Sequence, residues 1–301
     1  MIQDEIERLK RERNAVILAH TYQPAQIQEC ADYVGDSYGL SVEAVKVEAS
    51  LIIFCGVRFM AETAAILNPS RKVILPEPDA GCPMADMISA DDLVKLKNRY
   101  PDHLVMCYVN STAQIKALSD VCCTSSNAER IARKLSQGRG IIFVPDRHLG
   151  SWVAERTARD MVLWEGYCPV HNTIIPSMLH EARREHPDAV ILIHPEAPHE
   201  CRILADEVLS TGGMCDFAAK SDALEFVIAT ERGIIYTLKK KNPDKKFFPL
   251  GVPLVCPDMK RITLEAVRDA LEGSGGEHVV VEPAVAAAAR HSLEKMLELS
   301  R

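Results

Sequence analysis

Three Cys-Pro dipeptides, Cys82-Pro83, Cys168-Pro169 and Cys256-Pro257, stand 86 and 88 residues apart. Thiolates hold zinc and iron–sulfur clusters, and three of them, rather than four, leave one coordination position open. An open position is what a Lewis-acid catalyst needs. A free cysteine is ordinarily a small buried hydrophobe, but recurrence at one spacing argues for ligation by these three. Cys30, Cys55, Cys107, Cys122, Cys123, Cys201 and Cys215 share no such position and are expected in the core.

The same spacing carries polar residues. The apolar run 15–19 ends at His20, with Tyr22 just beyond. The run 104–107 ends at Tyr108 and Asn110, and the run 190–193 ends at His194 and Glu196. Seventeen residues after His20, Tyr108 and His194 stand Ser37, Ser125 and Thr211, and the cysteines follow the same three positions by 62, 60 and 62. The chain therefore reads as three copies of one unit, each supplying a polar strand end, a hydroxyl and a thiol. Glu196 can act as general acid or base, and Tyr22 and Tyr108 can relay protons or orient oxygens. Asn110, Ser37, Ser125 and Thr211 suit holding carboxylate or phosphate without added charge. His171, three residues after Cys168, could be a further metal ligand. Segment 209–222 combines Gly212, Gly213 and Lys220 and could close over an anion, or could be an ordinary loop before a helix capped by Ser221.

The elements that must position these residues alternate between strand and helix. Strands are predicted over 14–19, 51–55, 72–75, 104–109, 140–144, 161–164, 190–194, 233–236 and 278–281. Helices are predicted over 2–13, 24–33, 38–48, 58–68, 89–99, 126–136, 147–158, 176–186, 220–230, 263–272 and 284–299. Ser89 can cap one helix, and Ser126 with Glu129 makes a capping-box pattern. Continuously apolar strands between helices argue for parallel sheets covered on both faces, with ligands collecting at the strands' carboxyl ends. The expected fold is α/β: three similar αβα domains with parallel sheets about a pseudo-threefold axis, and the metal centre in the middle. The units would be 1–82 plus 271–301, 83–168 and 169–270, the last helix packing back on the first. A net charge of −7 without a basic stripe excludes a nucleic-acid partner, and no apolar run suits a membrane span. Ten cysteines without a secretory signal point to a cytoplasmic protein that uses thiols as ligands or core residues. No P-loop, dinucleotide fingerprint or nucleophile elbow is present.

The motifs resemble those of the quinolinate synthase family, the A protein of bacterial and archaeal NAD biosynthesis. They are Ile17-Leu-Ala-His-Thr-Tyr-Gln23, Gly35-Asp-Ser37, Cys55-Gly-Val-Arg-Phe-Met-Ala-Glu-Thr63, Pro76-Glu-Pro-Asp-Ala-Gly-Cys-Pro-Met84, Tyr108-Val-Asn110 and Cys122-Cys-Thr-Ser-Ser126. Further along come Pro145-Asp-Arg-His-Leu-Gly150, Gly166-Tyr-Cys-Pro-Val-His171, His194-Pro-Glu196 and Ser210-Thr-Gly-Gly213. The resemblance implies a [4Fe–4S] cluster on Cys82, Cys168 and Cys256 with the fourth iron open to substrate. It implies condensation of iminoaspartate with dihydroxyacetone phosphate to quinolinate, with loss of phosphate and two waters. An aspartate oxidase or dehydrogenase supplying the imine would be a transient partner. By carry-over, His20, Ser37, Tyr108, Val109, Asn110, Ser125, His194, Pro195, Glu196 and Thr211 would line the substrate site. Tyr22, Tyr108, His194 and Glu196 would serve catalysis, with Lys220 on a closing loop. The chain departs from longer members in having no cysteine after Cys256, and so no C-x-x-C there. Two other readings of the same thiols remain open at this point: a zinc-dependent lyase or hydrolase, and a non-enzymatic iron–sulfur redox sensor.

Overall fold

Three sheets repeat one strand order. In the computed structural model, which describes residues 2–136, 138–251 and 253–301, the first contains β1 (Ala15–His20), β2 (Tyr33–Gly35), β3 (Leu51–Cys55) and β4 (Lys72–Leu75). The second contains β5 (Leu104–Tyr108), β6 (Val121–Cys123), β7 (Ile141–Val144) and β8 (Met161–Leu163). The third contains β9 (Val190–Ile193), β10 (Glu207–Val208), β11 (Glu225–Ala229) and β12 (Lys246–Pro249), and β13 (Glu277–His278) joins the first sheet. The orders are β2-β1-β3-β4, β6-β5-β7-β8 and β10-β9-β11-β12, with β13 beyond β4. Pairing is parallel throughout except for β13 on β4. In each sheet the chain leaves its first strand to one side and returns on the other. The carboxyl ends at that reversal form the usual ligand crevice of such sheets.

An acid latch fixes the opposite end of each first strand. Asp32 accepts from the Ile17 amide at 2.8 Å, Asp120 from Val105 at 2.7 Å, and Asp206 from Ile191 at 2.7 Å. The central strands are apolar on both faces because helices cover both, and Phe54, Phe143 and Phe226 are buried among them. Truncating any of these to alanine would cost about 3–5 kcal/mol.

Several expected elements differ. Residues 220–230 are not a helix: Glu225-Phe-Val-Ile-Ala229 forms β11, a short run apolar enough for both faces to be buried. Residues 233–236 are not a strand but begin the helix Ile234–Lys241, whose three terminal lysines complement the helix dipole. Segment 209–222 is neither loop nor lid, since Thr211–Lys220 is a helix capped by Ser210, which accepts from the Gly213 amide at 3.1 Å. Ser221 follows that helix instead of starting one. Ser89 caps its helix as expected. The Ser126–Glu129 box is absent, because Asn127 is the N-cap and Ser126 bonds Thr124. Strand 278–281 shrinks to Glu277–His278, and the short edge strands β2, β6, β10 and β12 lacked a readable period. The last helix, Pro283–Leu299, does not pack on the first unit alone. Its main contacts are with the helix Ala113–Ala117 and β6, with fewer to the helix Arg58–Leu67. No helix among the described residues is long and apolar enough to cross a membrane.

Candidate active site

The strand ends deliver their polar residues in matched fashion. His20 ends β1, Tyr108 ends β5, and His194 directly follows β9. Two residues on in each case stand Tyr22, Asn110 and Glu196. His20 Nδ1 accepts from the Tyr22 amide at 3.1 Å, and His194 Nδ1 accepts from the Glu196 amide at 3.3 Å. Each ring is therefore locked over the turn that presents its neighbour.

The cysteines are equally matched. Each follows the fourth strand of its sheet, and each cysteine loop is tied to the turn after the third strand by one backbone bond. These run from Arg58 N to Ala80 O (2.8 Å), Arg147 N to Gly166 O (2.8 Å) and Arg232 N to Leu254 O (2.9 Å). Each accepting carbonyl lies two residues before a cysteine. Gly166 must lack a side chain, because a Cβ there would meet the Pro145 carbonyl at 2.4 Å. Short 3₁₀ turns follow the Cys-Pro pairs, at Pro83–Asp86, His171–Thr173 and Asp258–Lys260, a use suited to proline's fixed φ. Of the ten cysteines, Cys82, Cys168 and Cys256 alone are half-buried, and the other seven are buried.

All three cysteines line one cavity of about 240 Å³, together with His20, Tyr22, Ser37, Tyr108, Asn110, Ser125, His194, Glu196 and Thr211. The structure thus brings together nearly every residue singled out by the repeat. Val109 and Pro195 are not part of the lining; Val109 is buried beneath it, its amide bonded to Cys123 O. Lys220 is a correction. It sits exposed at the C-terminal end of its helix, outside the lining, because residues 211–220 wind into ten helical residues rather than a flexible loop.

A hydrogen-bond network runs along the cavity wall. Tyr22 Oη lies 2.8 Å from Thr211 Oγ1 and 2.7 Å from Thr230 Oγ1. Thr230 Oγ1 lies 2.7 Å from His171 Nε2, and His171 Nδ1 lies 2.7 Å from Glu196 Oε2. His171 Nδ1 is also 3.2 Å from Cys168 Sγ, and its ring stacks on His194 at 4.6 Å. Burial would push Glu196 up, but the His194 and His171 rings and hydrogen bonds from His171 and Tyr108 more than offset it, holding the carboxyl at about 2. Burial pushes His20 and His194 down to about 3, so both are neutral imidazoles. Burial also drives the Tyr22 and Tyr108 phenols well above their ordinary range. The wall therefore holds an ionised carboxylate beside neutral donors, an arrangement that can accept a proton and pass one along.

Five contributors were missed or left open. His171 lies at the centre of the network. Thr230 ends the stretch 220–230 expected as a helix and Glu231 directly follows it, while Asp36 and Asp146 stand inside quoted motifs without a role of their own. Asp36 caps the helix Ser37–Lys46 by accepting from the Gly39 amide at 2.8 Å, and the Gly212 amide of the third unit also bonds it. A Cβ on Gly212 would meet Asp36 Oδ2 at 2.7 Å. Asp146 is raised by burial and by Glu196, against the pull of the Leu149, Cys168 and His148 amides.

The donor set suits a thiolate-bound metal group. Burial pushes the Cys82 thiol up to about 12 and raises Cys168 and Cys256, so a bound cation must stabilise their thiolates. Buried Glu196 Oε1 and Asn110 Oδ1 have no hydrogen-bond partner among the described residues, and both residues line the cavity. Cys168, His171 and Glu196 also bring one ligand atom each within 4.8 Å of one another.

A family model described as Quinolinate synthetase A protein matches residues 4–298. The quinolinate synthase of Caldicellulosiruptor saccharolyticus is 51% identical over 300 residues, covering 99% of this chain and 98% of that protein. That of Dehalococcoides mccartyi strain CBDB1 is 50% identical over 272 residues, 90% of each chain. That of Geotalea uraniireducens is 48% identical over 300 residues, covering 100% and 98%. Full-length matches at this identity, joined to the repeated thiols around one cavity, place the chain in the quinolinate synthetase A family.

Proposed function

We propose that this enzyme condenses iminoaspartate with dihydroxyacetone phosphate to give quinolinate, phosphate and two waters, a step of NAD biosynthesis in the cytoplasm. The fold read as three units, 1–82 plus 271–301, 83–168 and 169–270, would surround a pseudo-threefold axis with the site at its centre. An aspartate oxidase or dehydrogenase would be the transient partner that supplies the imine. The observation that carries the reading is the convergence of Cys82, Cys168 and Cys256, one from each repeated loop, on the cavity that also holds Glu196.

Cys82, Cys168 and Cys256 would hold a [4Fe–4S] cluster, which when bound supplies an open iron as Lewis acid for dehydration. The chain's own residues do the rest. Glu196, ionised and paired with His171, takes a carbon-bound proton. Thr230 connects His171 to Tyr22, so a proton can travel between the two sides of the cavity. His20 and His194, held neutral, offer ring nitrogens without adding charge. Ser37 and Thr211, at the first residues of ten-residue helices, present hydroxyls where the helix dipole favours substrate anions. No Lys or Arg among the described residues lines the cavity, so these helix starts and the bound group must together meet the substrates' negative charge.

The Cys168–His171–Glu196 triplet favours a second reading, a zinc-dependent lyase or hydrolase. One experiment tests both. Anaerobically reconstituted protein is supplied with dihydroxyacetone phosphate and freshly generated iminoaspartate, with iron, sulfide and zinc measured on the same sample. Quinolinate formation that follows iron and sulfide content supports the proposal. Full iron and sulfide with no product removes the substrates, and zinc-dependent turnover removes the cluster.

A further inference from the structure

Val57, Asp146 and Glu231 occupy one position of the repeat. Each directly precedes the arginine (Arg58, Arg147 or Arg232) whose amide ties down the cysteine loop. At this position the second and third units place a carboxylate under the cysteine. Asp146 Oδ2 accepts from the Cys168 amide at 3.1 Å while Oδ1 accepts from Leu149 at 2.6 Å. Glu231 Oε1 accepts from the Cys256 amide at 3.3 Å and pairs with Lys260 Nζ at 2.9 Å, while Oε2 accepts from Gly233 at 2.7 Å. The first unit has only Val57, whose apolar side chain can accept nothing.

Asp146 and Glu231 are 0% and 1% exposed. Burying a carboxylate is costly even when it is paired. The valine in the first unit demonstrates that the repeated turn forms without an acid, so the turn alone does not account for either carboxylate. What the two acids share is the amide of a cavity cysteine. Accepting that amide fixes the cysteine backbone, and so the direction of its thiol, before any group binds.

We propose that Asp146 and Glu231 are positioning residues that hold Cys168 and Cys256 in place as ligands, leaving Cys82 the least constrained of the three. The proposal rests on the reading that these thiols bind an iron–sulfur cluster. It assigns the carboxylates no contact with substrate.

The test compares Asp146→Asn, Glu231→Gln and Asp120→Asn with the parent after anaerobic reconstitution. An amide offers one acceptor oxygen where each carboxylate offers two, so each of the first two variants must give up an amide bond. Asp120→Asn weakens a like acid-to-amide latch at the far end of β5, away from the cavity. Iron and sulfide content, the rate of iron loss to a chelator, and the midpoint potential of the cluster are measured, with thermal melting as the fold control. Asp146→Asn and Glu231→Gln should lose iron roughly tenfold faster, the size of one charge-assisted hydrogen bond, and should shift the potential. Asp120→Asn should melt earlier and leave both readouts unchanged. Iron loss within twofold of the parent in both cavity variants, or equal acceleration in Asp120→Asn, overturns the proposal. If Asp146→Asn fails to fold, Glu231→Gln decides by the same criteria. A parent that takes up no iron and sulfide defeats the cluster reading itself, a distinct outcome.

Discussion

Replacing Thr230 with valine removes one hydroxyl and almost no volume. Thr230 is 1% exposed, and its oxygen is, among the described residues, the hydrogen-bonded link between Tyr22 at 2.7 Å and His171 at 2.7 Å. Tyr22 keeps Thr211 as partner, whereas His171 Nε2 is left facing a methyl group. An unsatisfied buried polar atom costs about 1–3 kcal/mol, which lowers the melting temperature by roughly 2–4 °C per kcal/mol in a chain near this size. If the link also carries protons, a similar loss at the transition state reduces kcat roughly 10- to 100-fold. The assay is the initial rate of quinolinate formation by reconstituted protein, normalised to iron content. Thr230→Ser restores the hydroxyl and should restore most of the rate. A Thr230→Val enzyme with lowered melting temperature but kcat within twofold of the parent would refute the relay and leave Thr230 a structural residue.

Other expectations follow from the same geometry. Serine in place of Cys82, Cys168 or Cys256 should abolish iron and sulfide binding together with turnover, while Cys123→Ser, buried in β6 away from the cavity, should retain both in elemental analysis. Glu196→Gln should keep its iron and lose at least about 100-fold in kcat as the general base disappears; a near-normal rate would remove Glu196 from the chemistry. Stripping the cluster should weaken binding of dihydroxyacetone phosphate by at least about tenfold in calorimetry, since no Lys or Arg lines the cavity among the described residues. The last concerns pH. His194 is held at about 3, below its ordinary 6.5. The unfolded chain therefore takes up protons first as pH falls through 6.5, and the stability due to the neutral ring, full above that pH, declines toward pH 3. By pH 5 the loss is about 2 kcal/mol. His194→Gln should be less acid-sensitive by that amount in urea titrations of the apoprotein at pH 7 and 5.

How far the sequence discloses this molecule depends on whether a residue's position repeats. His20, Tyr108, His194 and the three cysteines recur at one spacing, and all of them reach the cavity. Glu231 and Thr230 sit at repeated positions too, but the short strand β11 before them gives no period to separate it from a helix, so their register was hidden. Asp146 follows a readable strand, yet its partner is a backbone amide 22 residues away, and no side-chain pattern reports such a bond. Lys220 shows the opposite failure. Glycines and hydroxyls beside it suggested a mobile loop, but Ser210 uses its hydroxyl to cap a helix and carries the lysine out to solvent. The last helix was placed correctly along the chain and only in part in space, because an amphipathic period does not say that it will cover the helix Ala113–Ala117 and β6 as well as the first unit.

Asp36 has a consequence for what the cavity can admit. One carboxyl closes the start of the helix that bears Ser37 and meets the amide of Gly212, next to Thr211, so it works as a gauge block between two units. The gap between those hydroxyls is set by the width of a carboxyl group and not by whatever molecule lies between them. With no room for a Cβ on Gly212, the gauge cannot be widened from that side without moving a whole helix. On the function proposed above, a guest would meet a fixed caliper, and selectivity between anions of different span would be built into the junction before any of them arrives.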